Sequence, residues 1–238
     1  MTREQAGGPD LSFEGQLSHR EEIMPGVFVV DLIPLNQASP PIYLNIGWNA
    51  QIEDYTDPLR LAFDNNRRIL CAEFPDEPEE QKADQILDFL RGKGIVKADF
   101  VAHSVGAISA ALAALKESAI VEKLTLINPA SLIPDDSPKD LIRRYRHLLQ
   151  QLPGFARATE IGSTQKIFDM ARTITSFDMD DVLKRIAGFG INILAVQAED
   201  DTLFPMDRTN IEGPIQKIKV PGGHYSMDRA MLIALRES

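Results

Sequence analysis

The sequence has few of the residues that would place it in several large classes of protein. A single cysteine, Cys71, cannot form an internal disulfide, and its position within an apolar run predicts a buried structural thiol. No apolar run has the length of a signal peptide or a membrane span, so we expect a cytoplasmic protein without a transmembrane segment. The net charge of −10, from 25 Lys and Arg against 35 Asp and Glu, argues against nucleic acid as a partner.

The 238 residues do contain a regular alternation of strand and helix patterns. Pro25 and Gly26 form the turn of a predicted opening hairpin. Buried strands are then predicted at 42–46, 68–74, 99–102, 123–127, 191–196 and 215–220. Helical patterns lie between them, for example at 83–90 and 106–116. This alternation predicts an α/β fold with a mostly parallel sheet and helices on both faces.

The alternation stops after residue 129. Between residues 137 and 188 the sequence has no strand pattern and contains two amphipathic helical patterns instead, the first beginning with Ser137 as N-cap and Pro138 at the first helical position. The chain is therefore divided into a polar leader, an α/β core and a helical insertion. The leader is 1–20 and is expected to be frayed or edge structure, the core is 21–134 with 189–238, and the insertion is 135–188.

The most informative motif is Ala102-His103-Ser104-Val105-Gly106, at the junction of a predicted strand and helix. A nucleophilic serine on such a strained turn needs small residues two positions before and after it, here Ala102 and Gly106. The helix that follows presents its N-terminal amides to developing negative charge. A serine between small residues is common by chance, but its place after a short strand favours a nucleophile elbow with Ser104.

A serine hydroxyl needs a base and an acid to act as a nucleophile, and candidates for both occur further along the chain. Of the four histidines, His224 has the best position, in a glycine-containing loop directly after the last predicted strand. An exposed loop histidine without a role is the alternative. The acid follows the preceding strand within Glu199-Asp200-Asp201, where three adjacent carboxylates leave the choice open. A solvated acidic loop is the alternative there.

With these motifs the chain resembles the α/β-hydrolase superfamily from about residue 27 to residue 236. The order serine, aspartate, histidine along the chain is the one that this architecture uses. The resemblance aligns Ala198 and Pro205 with a glycine and a proline that flank the acid in relatives. This alignment selects Asp201 over Asp200 as the acid.

The resemblance also implies that the backbone amides of Trp48 and Val105 form an oxyanion hole. The chain departs from the family at Ile46, where many relatives have a histidine that helps to hold the oxyanion loop. It departs again at Ala102 and Ala198, which replace the more usual glycines and keep a small side chain. The helical insertion would correspond to the cap that covers the active site in relatives.

Together these residues and the resemblance predict a serine hydrolase acting on an ester or thioester of a small-molecule or carrier-bound acyl group. Ser104 would attack, His224 would relay the proton and Asp201 would orient the imidazole, with no cofactor and no metal. Amide, lactone and carbon–carbon bond hydrolysis stay open. A non-catalytic ligand receptor of the same fold is the main alternative. A cofactor-binding protein of the flavodoxin-like or dinucleotide-binding kind ranks last, because no Gly-x-Gly-x-x-Gly follows an early strand.

A group of basic residues lies on the first helix of the predicted cap. Arg143, Arg144 and Arg146 stand beside His147 in an otherwise acidic sequence. A solvated helix face is the plain explanation. The functional hypothesis is that these charges steer an anionic substrate or an acidic acyl carrier toward the site. The apolar positions of the same helix are expected to face inward, and they are Leu141, Tyr145, Leu148 and Leu152.

Overall fold

The computed structural model describes residues 12–48, 50–133, 136–151, 164–209 and 215–236. The strands are β1 (Glu21–Met24), β2 (Val27–Leu32), β3 (Ala38–Asn45), β4 (Arg67–Glu73), β5 (Ala98–His103), β6 (Val121–Ile127), β7 (Asn192–Ala198) and β8 (Ile215–Val220). The α-helices are α1 (Phe13–Leu17), α2 (Thr56–Asp64), α3 (Glu79–Gly92), α4 (Gly106–Lys116), α5 (Pro138–Gln151), α6 (Thr164–Ser176), α7 (Met179–Gly188) and α8 (Met227–Arg236). The eight strands form one sheet in the order β1-β2-β4-β3-β5-β6-β7-β8.

The sheet has an antiparallel beginning and is parallel from β4 to β8. The strand β2 pairs antiparallel with both β1 and β4, and every later neighbouring pair is parallel. The predicted hairpin and the mostly parallel sheet are therefore confirmed. Since β4 and β5 lie on opposite sides of β3, the strand order reverses at β3. In open α/β sheets a crevice forms at the carboxyl ends of the strands on either side of such a reversal. The segments that begin at residues 46 and 104 leave the sheet at this point.

Helices cover both faces of the sheet, as the alternation predicts. On one face the apolar residues of α3, α4 and α7 share a core with the sheet, for example Leu90, Ile108 and Ile186. On the other face α2 and α8 do the same, for example through Leu59 and Met231. Strand residues alternate between the two cores, so the sheet is buried on both sides, as parallel sheets are.

The start of the described chain differs from the expected frayed or edge structure. Residues 13–17 form a short helix that Ser12 caps by accepting a 3.0 Å hydrogen bond from the Gly15 amide. Phe13 is buried, with its ring centre 5.7 Å from that of Phe63. The apolar contacts of Phe13 and Leu17 thus anchor a segment whose polar composition predicts no ordered helix. Residues 1–11 of the predicted leader lie outside the described residues.

The predicted insertion contains three helices in its described part. Helix α5 begins as expected, with the Ser137 hydroxyl accepting from the Asp140 amide at 3.1 Å and with Pro138 at the first helical position. Helices α5 and α6 pack against each other, whereas α7 packs on α4. Residues 152–163, which include Leu152, lie outside the described part, and the division of the chain into core and cap stays a prediction. No described helix combines the length and the apolar character that a membrane crossing requires.

Candidate active site

The backbone turn at Ser104 has the conformation that the motif predicts. Ser104 follows β5 and precedes α4 with φ of 55°, in the left-handed region that a residue with a side chain seldom occupies. A Cβ on Gly106 would collide with the carbonyl oxygen of Ile46 and lie 2.9 Å from that of Asn45. Only glycine therefore allows α4 to begin so close to the end of β3. The turn places the serine side chain at the edge of the sheet where the strand order reverses.

Ser104, His224 and Asp201 form a continuous line of hydrogen bonds. The Ser104 hydroxyl lies 3.0 Å from His224 Nε2, and His224 Nδ1 lies 2.8 Å from Asp201 Oδ2. The three residues are 6%, 2% and 3% exposed. Asp201 Oδ1 accepts hydrogen bonds from the amides of Leu203 at 2.8 Å and Phe204 at 3.0 Å. The structure thus brings together the three residues that the sequence places far apart.

The geometry also distinguishes the neighbouring carboxylates. Glu199 and Asp200 are exposed, and their amides bond to the carbonyls of Val220 and Gly222, both at 2.9 Å. These two backbone bonds tie the acid loop to the loop of His224 and leave the Asp201 side chain to reach the imidazole. Of these three carboxylates, Asp201 is the one whose side chain forms a hydrogen bond with the imidazole.

The electrostatics of the acid assign the protons along this line. Burial of the Asp201 carboxyl opposes its ionisation, but hydrogen bonds from His224 and from the two amides outweigh burial, so the pKa of Asp201 is lowered. An ionised carboxylate can only accept, so His224 Nδ1 carries the ring proton of the neutral imidazole. The unprotonated Nε2 then faces the Ser104 hydroxyl. This is the arrangement in which an imidazole can remove a proton from a serine.

The two amides predicted as an oxyanion hole lie in the segments that leave the sheet beside Ser104. Trp48 is in the segment after β3, and Val105 directly precedes α4. Within the described residues neither amide donates a hydrogen bond to another residue. A Cβ built on Gly47 would lie 3.3 Å from the Ser104 Cβ, so this backbone passes close to the serine. The role of the amides stays a prediction.

The known proteins that are similar to this chain are similar in structure. No family model matches the sequence, and no curated protein matches it. Among solved structures, an esterase from Exiguobacterium antarcticum is similar with a TM-score of 0.69 and 15% identity, over 89% of this chain and 96% of that one. The enol-lactonase from Burkholderia xenovorans LB400 is similar with a TM-score of 0.64 and 16% identity, over 89% and 95%. The chain has the α/β-hydrolase fold. A meta-cleavage product hydrolase from Pseudomonas fluorescens IP01 shares it, with a TM-score of 0.60 and 15% identity over 89% of this chain and 95% of that one.

A group of buried polar residues that the sequence does not reveal lies beneath the candidate site. The Tyr55 hydroxyl lies 3.1 Å from the Gly47 amide and 2.6 Å from His103 Nδ1. His103 Nε2 and the Asn128 side-chain amide lie 2.9 Å and 2.8 Å from the His224 carbonyl oxygen. The sequence presents His103 as the variable position of the elbow motif, and no local signal marks the tyrosine or the asparagine.

The Tyr55 hydroxyl holds the loop after β3, for which the resemblance implies a histidine at position 46. Where the resemblance implies a loop-holding histidine, Ile46 is buried in the apolar core and offers no hydrogen bond from its side chain. The amide of the next residue, Gly47, is instead bound by the Tyr55 hydroxyl. This hydroxyl comes from a 3₁₀ turn, Ile52–Tyr55.

The serine opens into an apolar pocket beneath α5 and α6. The pocket has an empty volume of about 530 Å³, open solvent included. Its described lining contains no Asp, Glu, Lys or Arg side chain. The α5 and α6 residues in the lining are Leu141, Ile142, Tyr145, Ile167, Met170, Ala171 and Ile174. Trp48 closes one side, with its ring centre 5.6 Å from that of Tyr145.

The three arginines of α5 have different surroundings. Arg144 is an ion-pair partner of Asp136 and donates to the carbonyl of Leu203 at 2.8 Å, so its side chain is only 13% exposed. Arg143 pairs with Asp140 at 2.9 Å on the surface, and Arg146 is exposed. Two of the three predicted steering charges are thus already paired with carboxylates. Arg144 is in addition a brace for the loop that carries the acid.

Proposed function

We propose that the chain is a serine hydrolase that cleaves an ester or thioester of a small-molecule or carrier-bound acyl group. The observation that carries this proposal is the buried hydrogen-bonded line from Ser104 through His224 to Asp201, with Ser104 in the lining of an apolar pocket. The named activities of the three similar structures, an esterase, a lactonase and a meta-cleavage product hydrolase, support a hydrolytic reaction.

The reaction follows from the proton assignments. The Ser104 oxygen attacks the acyl carbonyl carbon while its proton passes to His224 Nε2. The carbonyl oxygen becomes an oxyanion that the amides of Trp48 and Val105 stabilise. The imidazolium then protonates the departing alkoxide or thiolate, which leaves an acyl-serine. Water attacks this ester with His224 again accepting a proton, and the carboxylic acid is released as Ser104 regains its hydrogen. Asp201 stays ionised throughout and holds the imidazolium.

The experiment that tests this proposal is active-site labelling. A fluorophosphonate phosphonylates a serine, with loss of fluoride, where a base and an oxyanion site activate the hydroxyl, so we expect one adduct per chain on the peptide that contains Ser104. The measurement is intact mass followed by peptide mapping. Labelling at another residue, or none alongside a complete lack of p-nitrophenyl ester hydrolysis, would contradict the proposal.

The pocket lining predicts which acyl groups are accepted. A terminal carboxylate in this apolar lining would lose its hydration without meeting a cation, at a cost of several kcal/mol. We expect p-nitrophenyl butyrate and hexanoate to be hydrolysed with a kcat/KM on the order of 100-fold above that of the p-nitrophenyl hemiester of adipic acid. Equal rates for the neutral and the carboxylate-bearing esters would show that the acyl group does not enter this pocket.

The arginine hypothesis becomes testable once Arg144 is left in place, because its loss would disturb the acid loop. Replacing Arg143 and Arg146 by glutamine should lower kcat/KM for an acyl-carrier-linked ester by about threefold at low salt, since rim charges act on the rate of encounter. The neutral p-nitrophenyl ester, measured in parallel, should be unaffected, and 0.5 M salt should remove the difference, as expected for a screening length of roughly 4 Å. Identical behaviour of both substrates would identify the arginines as ordinary surface residues.

A further inference from the structure

Four groups beneath the candidate active site are joined end to end by hydrogen bonds. They are the Gly47 amide, the Tyr55 hydroxyl, the His103 ring and the His224 carbonyl, with separations of 3.1, 2.6 and 2.9 Å. Tyr55 and His103 are 1% and 0% exposed. We call these two side chains the Tyr55–His103 relay. One end of the relay is the loop of the proposed oxyanion hole, and the other is the backbone of the proposed base.

The position of each hydrogen in the relay follows from the His224 carbonyl oxygen at one end, because that oxygen can only accept. A carbonyl oxygen only accepts, so His103 Nε2 carries a hydrogen and donates it to the His224 carbonyl. Neutral His103 therefore has a bare Nδ1, which accepts the Tyr55 hydroxyl hydrogen. The Tyr55 oxygen, in turn, accepts from the Gly47 amide. Burial, followed by the nearby His224, lowers the pKa of His103 to about 3, so the ring stays neutral over the working range of an esterase.

The relay is tightly packed against the loop that it holds. A Cβ on Gly47 would lie 3.4 Å from the Tyr55 hydroxyl oxygen and 3.5 Å from His103 Nδ1, close to the Ser104 side chain. The hydrogen bond of the Gly47 amide sets the direction in which the chain continues to the Trp48 amide. At the other end, the His224 carbonyl is held twice, by His103 and by Asn128. A rotation of either side chain would therefore move one of the two loops relative to the serine.

We propose that Tyr55 and His103 are positioning residues that hold the oxyanion loop and the His224 loop at a set distance from each other across Ser104. This inference rests on the proposed hydrolase function. Both side chains belong to the pocket lining, but their polar atoms are bonded to each other and to the two loops. In this proposal the relay acts through the Trp48 amide and the His224 ring. Its loss should therefore reduce transition-state stabilisation more than substrate binding.

The first test compares two tyrosines of equal burial. Tyr55→Phe removes both hydrogen bonds of the relay hydroxyl, and we expect kcat to fall about 10- to 100-fold with KM within about twofold, less than the full loss of an oxyanion donor. The matched control is Tyr43→Phe, because Tyr43 is also fully buried and its hydroxyl bonds only to Asn45, at 3.2 Å. Both variants lose a buried hydroxyl and should lose similar thermal stability, but the control should keep its kcat.

The second test removes the two hydrogen bonds of the His103 ring one at a time. The amide of His103→Asn lies near the position of Nδ1, so its oxygen can still accept from Tyr55 while the bond to the His224 carbonyl is lost. The longer His103→Gln places its amide nitrogen near Nε2, so it keeps the carbonyl bond and leaves Tyr55 without its acceptor. Both variants should lower kcat. Only His103→Gln should disturb the loop of Gly47.

The third measurement needs no activity, because Trp48 is the only tryptophan of the chain and lies in the loop itself. Its emission and its quenching by acrylamide should change in Tyr55→Phe and His103→Gln and remain native in His103→Asn and Tyr43→Phe. If Tyr55→Phe keeps native fluorescence and a kcat equal to that of Tyr43→Phe, the relay has no positioning role. If the wild-type protein hydrolyses no ester, the hydrolase proposal fails, and the fluorescence pattern alone decides whether the relay holds the loop.

Discussion

Ester hydrolysis is expected to fall about 10⁴- to 10⁶-fold when Ser104 is replaced by alanine, because the substitution removes the oxygen that forms the proposed acyl-serine. The substitution removes one oxygen and leaves the strained turn, the packing of Gly106 and the line from His224 to Asp201 unchanged. The variant should therefore fold with near-native thermal stability. The measurements are kcat/KM for p-nitrophenyl butyrate, fluorophosphonate labelling and thermal unfolding.

A matched control strengthens this test. Ser109→Ala removes the hydroxyl of another buried serine, on α4, which accepts from the Asn45 side chain at 3.0 Å. That variant should retain activity and labelling, although it is expected to be the less stable of the two. A Ser104→Ala protein that still hydrolyses esters at near wild-type rate would end the assignment of Ser104 as nucleophile.

Asp201→Asn is expected to lower kcat by about 10⁴-fold, because it changes which ring nitrogen of His224 carries the proton. The amides of Leu203 and Phe204 donate to Oδ1, so an asparagine would keep its oxygen there and turn its NH₂ group toward His224 Nδ1. That nitrogen would then have to accept, and the ring proton would move to Nε2. A protonated Nε2 facing Ser104 cannot remove the serine proton.

The neighbouring carboxylate supplies the control for this prediction. Asp200 is exposed and contributes its backbone amide, not its side chain, to the contact with the Gly222 carbonyl. Asp200→Asn should therefore change kcat by less than about twofold, within the usual range of surface substitutions. If Asp200→Asn instead proves the damaging variant, the acid has been assigned one residue too late and the serine and histidine assignments are unaffected.

Much of the architecture could be predicted because it depends on periodicity. The hairpin at Pro25 and Gly26 and the alternation of buried strands with helices specify a mixed sheet covered on both faces, and the sheet confirms this. The small residue at Gly106 was predictable from the elbow motif, although the backbone atoms that require it are the carbonyls of Asn45 and Ile46, which lie far away in the sequence. The formation of an ordered helix α1 was not predictable, because it depends on the contact of Phe13 with Phe63, 50 positions away in the sequence.

Some features of the candidate site could likewise be predicted from the sequence, and others could not. Ser104, Asp201 and His224 could be proposed from the sequence because each follows a predicted strand, and parallel strands bring such positions to one edge of a sheet. The hydrogen bond from Arg144 to the Leu203 carbonyl, which makes this arginine a brace for the acid loop, appears only when α5 is placed beside that loop.

Sequence alone determined the alternation of strands and helices in the α/β part of the chain and the motif at the turn of Ser104, because hydrophobic repeats of two and 3.6 residues and short motifs are patterns of neighbouring positions. Only the tertiary structure decided what supports the proposed oxyanion loop and the loop of His224. Those outcomes depend on distances of about 3 Å between loops that are up to 121 residues apart, and no local pattern encodes them.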